Sequence, residues 1–395
     1  MNHSVKLPER ILALFRAAEA AGEEIYLVGG SLRDFLRGQP PHDFDLAISS
    51  PPERTMEIFR DYRVIATGLA HGTVTVIVER EPVEITTFRV DGDYTDSRHP
   101  DGVTFTRRIE EDLSRRDFTV NAMAYHPERG VCDPFGGRED LQRGVLRAVR
   151  EPNLRFSEDA LRIMRAFRFS AQLGFSIEEA TLRGIAETRE GLSRIAVERI
   201  ASEFLRLLCS QGVADALHLM IEYGVLPYVT GEYCPSERVL SVIGHSRPSE
   251  EERLGLFFSE ADPTAAVAIA RGLRLSNKQI TAIGAVCRGA RVSVSSESDA
   301  RRLIADCGVY APFGVRASVL LGNSPEEAIG WVEGNHAPCS LSELAVGGRE
   351  LLSARIEPRR VGRTLEWLLS QVIEDPAKNE KDTLLSLAAA YNDRT

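Results

Sequence analysis

The apolar pattern of this chain changes period near residue 150, and nothing else in the sequence constrains the fold as strongly. Before that point, runs such as "GTVTVIVE" (72–79) and "VEITTFRV" (83–90) alternate with the two-residue period of half-buried strands. A tight turn joins these two runs. "IYLVGG" (25–30) and "DFDLAIS" (43–49) read as further short strands, with helices expected over 7–20, 31–38 and 51–62. Ile11, Leu12, Phe15 and Ala18 form the apolar side of the first helix. The polar stretch 91–102, "DGDYTDSRHPDG", has no periodicity and is expected as a mobile loop. After 150, helical periodicity runs through 157–173, 176–189, 196–210, 211–223, 263–271, 275–288 and 361–374. "SRPSEEE" (246–252) and "GNSPEE" (322–327) mark breaks between helical units. The expected class is α+β, a small mixed-sheet head followed by an all-helical remainder. At 395 residues, two to four domains are expected.

Composition narrows the partners. With 43% apolar and 27% charged residues, the chain is expected to be globular. The N-terminal stretch carries charges throughout and does not read as a signal peptide, and no run reads as a membrane span. Six cysteines (132, 209, 234, 287, 307 and 339) lie far apart without a C-x-x-C pair. The expectation is a reduced, cytoplasmic protein with neither a zinc site nor a disulfide frame, and no membrane partner. The net charge of −10 weighs against a polyanion, but distribution counts for more than total. All but four of the 48 basic residues are arginine, the lysines being Lys6, Lys278, Lys378 and Lys381, a bias that genome composition alone could produce. Residues 143–168 gather Arg143, Arg147, Arg150, Arg155, Arg162, Arg165 and Arg168 against three acids, a segment suited to a polyanion.

Three constellations carry chemistry. In "LVGGSLRDFLRGQPPHDFDLAIS" (27–49), Asp43 and Asp45 would share one strand face, about 7 Å apart along the strand. Alone, such a pair fits an exposed edge strand. Gly29 and Gly30, however, let backbone N–H groups approach a phosphate, Ser31 offers a hydroxyl, and Arg33 a guanidinium. Together these residues read as a site where Mg²⁺ bridges two carboxylates and a nucleoside triphosphate. Glu84, on a neighbouring strand, is the best third carboxylate, although a solvent-facing glutamate fits the pattern equally. Glu79 abuts the turn and fits less well.

The second stretch is "RRDFTVNAMAY" (115–125). Asp117 could cap a helix start there, and Arg116, Asp117 and Asn121 could also read a ribose hydroxyl, which both donates and accepts. The third is "RFSEDALRIMRAFRFSAQLGF" (155–175). Ser157 is expected to cap this helix, with Ala160, Met164, Phe167 and Ala171 as its core stripe and Glu158, Arg162 and Arg165 on the other face. A Glu158–Arg162 salt bridge would account for part of that face. Asp159 offers only acceptors and Arg162 only donors, so the pair matches the base-pairing edges of cytosine and adenine. Uracil O4 or guanine O6 would meet the carboxylate acceptor to acceptor, a mismatch that can reject a base by about 10⁴ in a buried site.

These stretches resemble the class II tRNA nucleotidyltransferases, the CCA-adding enzymes of the polymerase-beta-like superfamily, whose relatives include bacterial poly(A) polymerases. "DPFGGREDLQRGVLRAV" (133–149), "SRIAVERIASEFLRLL" (193–208), "LRLSNKQI" (273–280) and "RRVGRTLEWLLSQVIEDPAKN" (359–379) are similar to head-to-neck, neck, body and tail segments of that family. The resemblance implies a catalytic head over 1–145, a base-template neck over 146–212, a body over 213–322 and a tRNA-binding tail over 323–395. It implies that Asp43 and Asp45 hold the metal and, with Glu84, form the catalytic acids. Gly29, Gly30, Ser31 and Arg33 would hold the triphosphate, and Arg116, Asp117 and Asn121 the ribose. Glu158, Asp159 and Arg162 would select the base, with Arg165 beside them. The implied substrates are CTP, ATP and a tRNA gripped at its acceptor stem and T-arm. "ATGLAHGTVTV" (66–76) resembles the CCA-type sequence, while A-only addition and poly(A) synthesis remain the alternatives. The loop 91–102 resembles one that CC-only enzymes lack. The C-terminal half shows no His-Asp metal motif, so no second hydrolase activity is expected.

Overall fold

The computed structural model describes residues 6–41, 43–69, 72–91 and 103–393; all but the first residue of the 91–102 loop lies outside them. The chain forms two compact units, one from Met1–Leu207 with Asp215–Val229, the other from Leu208–Ala214 with Thr230–Thr395.

The first unit opens with α1 (Glu9–Ala20), β1 (Ile25–Val28), α2 (Gly29–Leu36), β2 (Asp45–Ile48) and α3 (Pro52–Ile58). The strands β3 (Arg63–Gly68), β4 (Thr73–Val78), β5 (Glu81–Thr87), β6 (Arg89–Asp91) and β7 (Val103–Phe105) follow. Then come α4 (Ile109–Ser114), β8 (Ala124–His126), β9 (Gly130–Cys132) and α5 (Gly137–Arg143). A seven-stranded sheet runs β3-β4-β5-β2-β1-β8-β9, and β2 with β5 is its one parallel pair. Strand alternation decides which face each residue meets. Leu27, Leu46, Ile48, Val83 and Ile85 pack with α1 through Ile11, Leu14, Phe15 and Ala18. Leu12, expected on that side, is only half-buried, and Leu14 takes its place. Tyr26, Val28, Ala47 and Ala124 pack on the other face with Phe88, Ile109 and Leu113. The strands β3, β8 and β9 were not foreshadowed, because each is too short or irregular to show alternation.

Beyond β10 (Val145–Leu146), the expected helix over 157–173 is broken. α6 (Pro152–Glu158) ends before Asp159, whose extended backbone (φ −141°, ψ 101°) interrupts the ladder, and α7 (Leu161–Leu173) resumes after Ala160. Ser157 therefore lies inside α6 and does not cap. α7 is buried nearly all round, Arg162 and Arg168 included, because it lies among other elements and not at a surface. A short β11 (Ser176–Ile177), α8 (Glu179–Thr188) and α9 (Val197–Leu208) follow.

The described part of the second unit is helical, with apolar clusters around Val315 and Leu368. Glu297–Leu320 holds a stretch long and apolar enough, by length and composition, to cross a membrane, contrary to the sequence reading. Gly308, at φ +55°, ends the first helix of that stretch at Cys307, and Ala300, Leu303, Ala311 and Val315 pack into the unit's own core.

Candidate active site

The parallel pairing of β2 with β5 sets Asp45 opposite Glu84 in register. Both belong to the strand face opposite Leu46 and Ile85, so neither enters the α1 core. Asp43 lies on a bend ahead of β2 and is exposed, so the expected two-carboxylate strand face is instead one strand residue and one loop residue. Their charges still meet. Burial, together with Asp43 and Glu84, pushes Asp45 up to about 6, against the opposing pull of Arg116.

Gly29 turns the end of β1 into α2 at φ +68°, a conformation that glycine adopts without a Cβ penalty. A Cβ there would sit 3.2 Å from Arg116 Nη1 and 3.5 Å from Asp45 Oδ2. α2 has no side-chain cap, so no side chain at its start satisfies its first N–H groups, and it begins at Gly29, next to Asp45. Ser31 is buried; its hydroxyl donates to the Val28 carbonyl at 2.8 Å and accepts from Asp45 N at 3.4 Å. It thus joins the turn to β2, work different from the phosphate donor expected of it. Gly30 lies beside the Arg33 guanidinium.

No helix starts at Asp117. Thr119–Asn121 is a single 3₁₀ turn, and Asp117 accepts from Phe118 N at 2.8 Å and Asn121 Nδ2 at 3.2 Å. Arg33 Nη1 donates to Asn121 Oδ1 at 2.8 Å, and Arg165 grips Asp117 Oδ2 through Nε at 2.8 Å and Nη2 at 2.6 Å. Burial opposes ionisation of Asp117, yet Arg165, Asn121 and the Phe118 N–H bring it down to about 2. Arg116 is held by Asp112, which also binds Arg115. The guanidiniums of Arg33, Arg165 and Arg168 lie 5.4, 5.1 and 4.0 Å from the centroid of the Phe169 ring.

Arg162 Nη1 donates to Glu158 at 2.5 Å and to the Arg155 carbonyl at 2.8 Å, while Nη2 reaches the Arg115 carbonyl at 2.9 Å. Asp159, in the break between α6 and α7, accepts from Leu161 N at 3.1 Å and from Arg199 Nη2 at 3.2 Å. Sequence reasoning missed Arg199 and Glu203, both on α9. The sequence set them apart only weakly, because Glu198 and Arg206 are charged positions of the same helix.

Among the described residues, no three acidic, histidine or cysteine side chains converge to cage a metal by themselves. The donor set nevertheless fits a hard divalent cation of the Mg²⁺ kind, which takes one or two carboxylates and completes its shell with water and phosphate oxygens. Crowded carboxylate oxygens beside an uncapped helix start are what nucleotidyl transfer from a triphosphate requires, so fold and site define a nucleotidyltransferase.

The comparisons narrow that class. The pattern of the "Poly A polymerase head domain" family matches residues 25–147, and that of the "Probable RNA and SrmB- binding site of polymerase A" matches 174–235. A CCA-adding enzyme of Geobacillus kaustophilus is 35% identical over 386 residues, covering 95% of each chain. The crystal structure of the Bacillus stearothermophilus CCA-adding enzyme in complex with CTP superposes with a TM-score of 0.81 at 30% identity, covering 98% of each chain. The Thermotoga maritima CCA-adding enzyme complexed with tRNA shares the fold at TM-score 0.69 and 22% identity, over 98% of this chain and 96% of that one. This chain belongs to the CCA-adding enzyme family.

Proposed function

We infer that this chain is a tRNA nucleotidyltransferase that adds C and A to the tRNA 3′ end from CTP and ATP, releasing pyrophosphate. The observation that carries the reading is the Asp45–Glu84 register beside Gly29 and Arg116, in a chain similar to a CCA-adding enzyme over 95% of its length. CCA-adding nucleotidyltransferases are metal-dependent. We propose that the metal is Mg²⁺, held by Asp43 and Asp45 with Glu84 beside them. A metal there supplies charge stabilisation for the attacking and leaving oxygens.

The chain's own residues do the rest. The first N–H groups of α2, opened by Gly29 and Gly30, cradle the triphosphate, and Arg33 neutralises it. Arg116, Asp117 and Asn121 address the ribose hydroxyls. Asp159 accepts the amino group of cytosine or adenine while Arg162 donates to the ring acceptors, with Glu158 holding Arg162 in place. Fixed in this way, the α-phosphate lies open to in-line attack by the tRNA 3′-hydroxyl. The helical neck, body and tail (146–212, 213–322 and 323–395) are assigned to gripping the acceptor stem and T-arm by shape and phosphate contacts. We place the enzyme in the cytoplasm, a reading supported by six free cysteines.

The test offers tRNA transcripts ending before CCA, after C and after CC with each labelled nucleotide. Completion of CCA on all three is expected. Extension of the CC-ended transcript alone would mean A-only addition, and long A tails on any RNA would mean a poly(A) polymerase.

A further inference from the structure

Two residues of α9, one helical turn apart, hold the nucleotide-reading groups from behind. Arg199 Nη2 donates to Asp159 Oδ2 at 3.2 Å, its one described side-chain hydrogen bond; its other amino nitrogen, Nη1, is buried without a hydrogen-bond partner among the described residues. Glu203, itself buried, pairs with Arg168 Nε at 2.7 Å and stands 4.0 Å from Arg165 Nη1. The same helix thus puts a cation on the acid at the α6–α7 break and, on Arg168, an anion 4.0 Å from Arg165, the arginine that grips Asp117.

We propose that Arg199 and Glu203 are positioning residues that set nucleotide selectivity, Arg199 for the base and Glu203 for the ribose. The proposal rests on the reading of Asp159 as the acceptor for the base amino group and of Asp117 with Asn121 as the ribose contact. Asp159 closes α6 in extended backbone, so no helical ladder fixes its side chain. Its two oxygens are each oriented by one donor, Leu161 N on Oδ1 and Arg199 on Oδ2. A carboxylate held by two donors presents its remaining lone pairs in a fixed direction, and only acceptors. Rejection of uracil and guanine depends on that fixity, because a carboxyl free to rotate or take up a proton can donate to O4 or O6. Glu203 works through charge. It balances Arg165 and Arg168, which crowd the Phe169 ring, and leaves Arg165 oriented toward Asp117. Asp117 in turn holds Asn121, which holds Arg33, so a shift of Arg165 reaches the ribose and triphosphate contacts through one chain of hydrogen bonds.

The experiment uses the full chain with tRNA ending before CCA and after CC, and compares Arg199→Met, Arg199→Lys, Glu203→Gln and Asp159→Ala. Arg199→Met is expected to raise UTP use relative to CTP, and GTP relative to ATP, by about tenfold or more, leaving KM for tRNA unchanged. Arg199→Lys, which keeps a donor, should restore part of the discrimination. Glu203→Gln should raise KM for CTP and narrow the preference for CTP over dCTP. A merely structural role would lower kcat for all nucleotides alike and leave these ratios where they were; that result overturns the proposal. If Asp159→Ala relaxes base choice and Arg199→Met does not, only the inference about α9 fails. Unchanged base choice in Asp159→Ala removes the base-reading assignment itself.

Discussion

At Asp45 the proposed metal-binding role and stability oppose each other in a single side chain. Its carboxyl is raised from 3.8 to about 6, so the folded state holds the proton more tightly than the unfolded chain. Stability from this group is therefore full below pH 3.8 and is lost as pH rises through 6. Asp45→Asn should abolish nucleotide addition yet raise the melting temperature of the metal-free protein at pH 7.5, with the gain vanishing near pH 4. A lower melting temperature at pH 7.5 would contradict the crowding of carboxylates described above. Asp117 has the opposite sign. Lowered to about 2, it contributes stability above pH 3.8 that disappears as pH falls toward 2. Asp117→Asn should cost about 2 kcal/mol in denaturant unfolding at neutral pH and nearly nothing at pH 2. The sequence showed Asp43, Asp45 and the two glycines because they lie close together in the chain. It could not show Arg165 on Asp117 or Arg199 on Asp159, pairs 48 and 40 residues apart that only the fold brings together.

At the scale of elements, periodicity revealed where strands and helices occur but not where they bend. The helix expected over 157–173 breaks at Asp159, and that break frees the carboxylate that an unbroken helix would have held on one face. The turn between β4 and β5 was legible, but its backbone was not: Glu79 and Arg80 both sit at positive φ, 50° and 72°. Two-residue hairpins of this kind favour Asn-Gly. Replacing Glu79-Arg80 by Asn-Gly should raise the free energy of unfolding by about 1 kcal/mol without changing turnover. A neutral result would mean that the two side chains compensate for their backbone strain. Gly137, at the start of α5, is a packing constraint. A Cβ there would collide with the Thr119 carbonyl, in the turn that carries Asn121. Gly137→Ala should lower stability by about 1–3 kcal/mol and raise KM for CTP and ATP together, read from melts and initial rates.

At the scale of the whole molecule, the chain crosses between its two units more than once. It enters the second unit at Leu208–Ala214, returns to the first for Asp215–Val229, and leaves again at Thr230. Helical periodicity shows that residues 211–223 form a helix but not which unit that helix packs into, so this exchange was illegible in the sequence. The returning segment buries Ala216, Leu217, Met220, Val225, Leu226 and Val229, and a chain stopped at Leu207 lacks all of them. A fragment of residues 1–229 should therefore be monodisperse and melt cooperatively, whereas residues 1–207 should aggregate on exposed apolar surface. The longer fragment keeps Asp45, Glu84, Asp117, Asp159, Arg199 and Glu203, so it should still bind CTP and ATP with near-native affinity in calorimetry. It loses most of the residues assigned to tRNA, the body beyond 229 and the whole tail, so its affinity for tRNA should fall and depend less steeply on salt as phosphate contacts disappear. Unchanged tRNA affinity and salt slope in the fragment would confine the RNA grip to the first unit, where the arginines of 143–168 would be the residues to carry it.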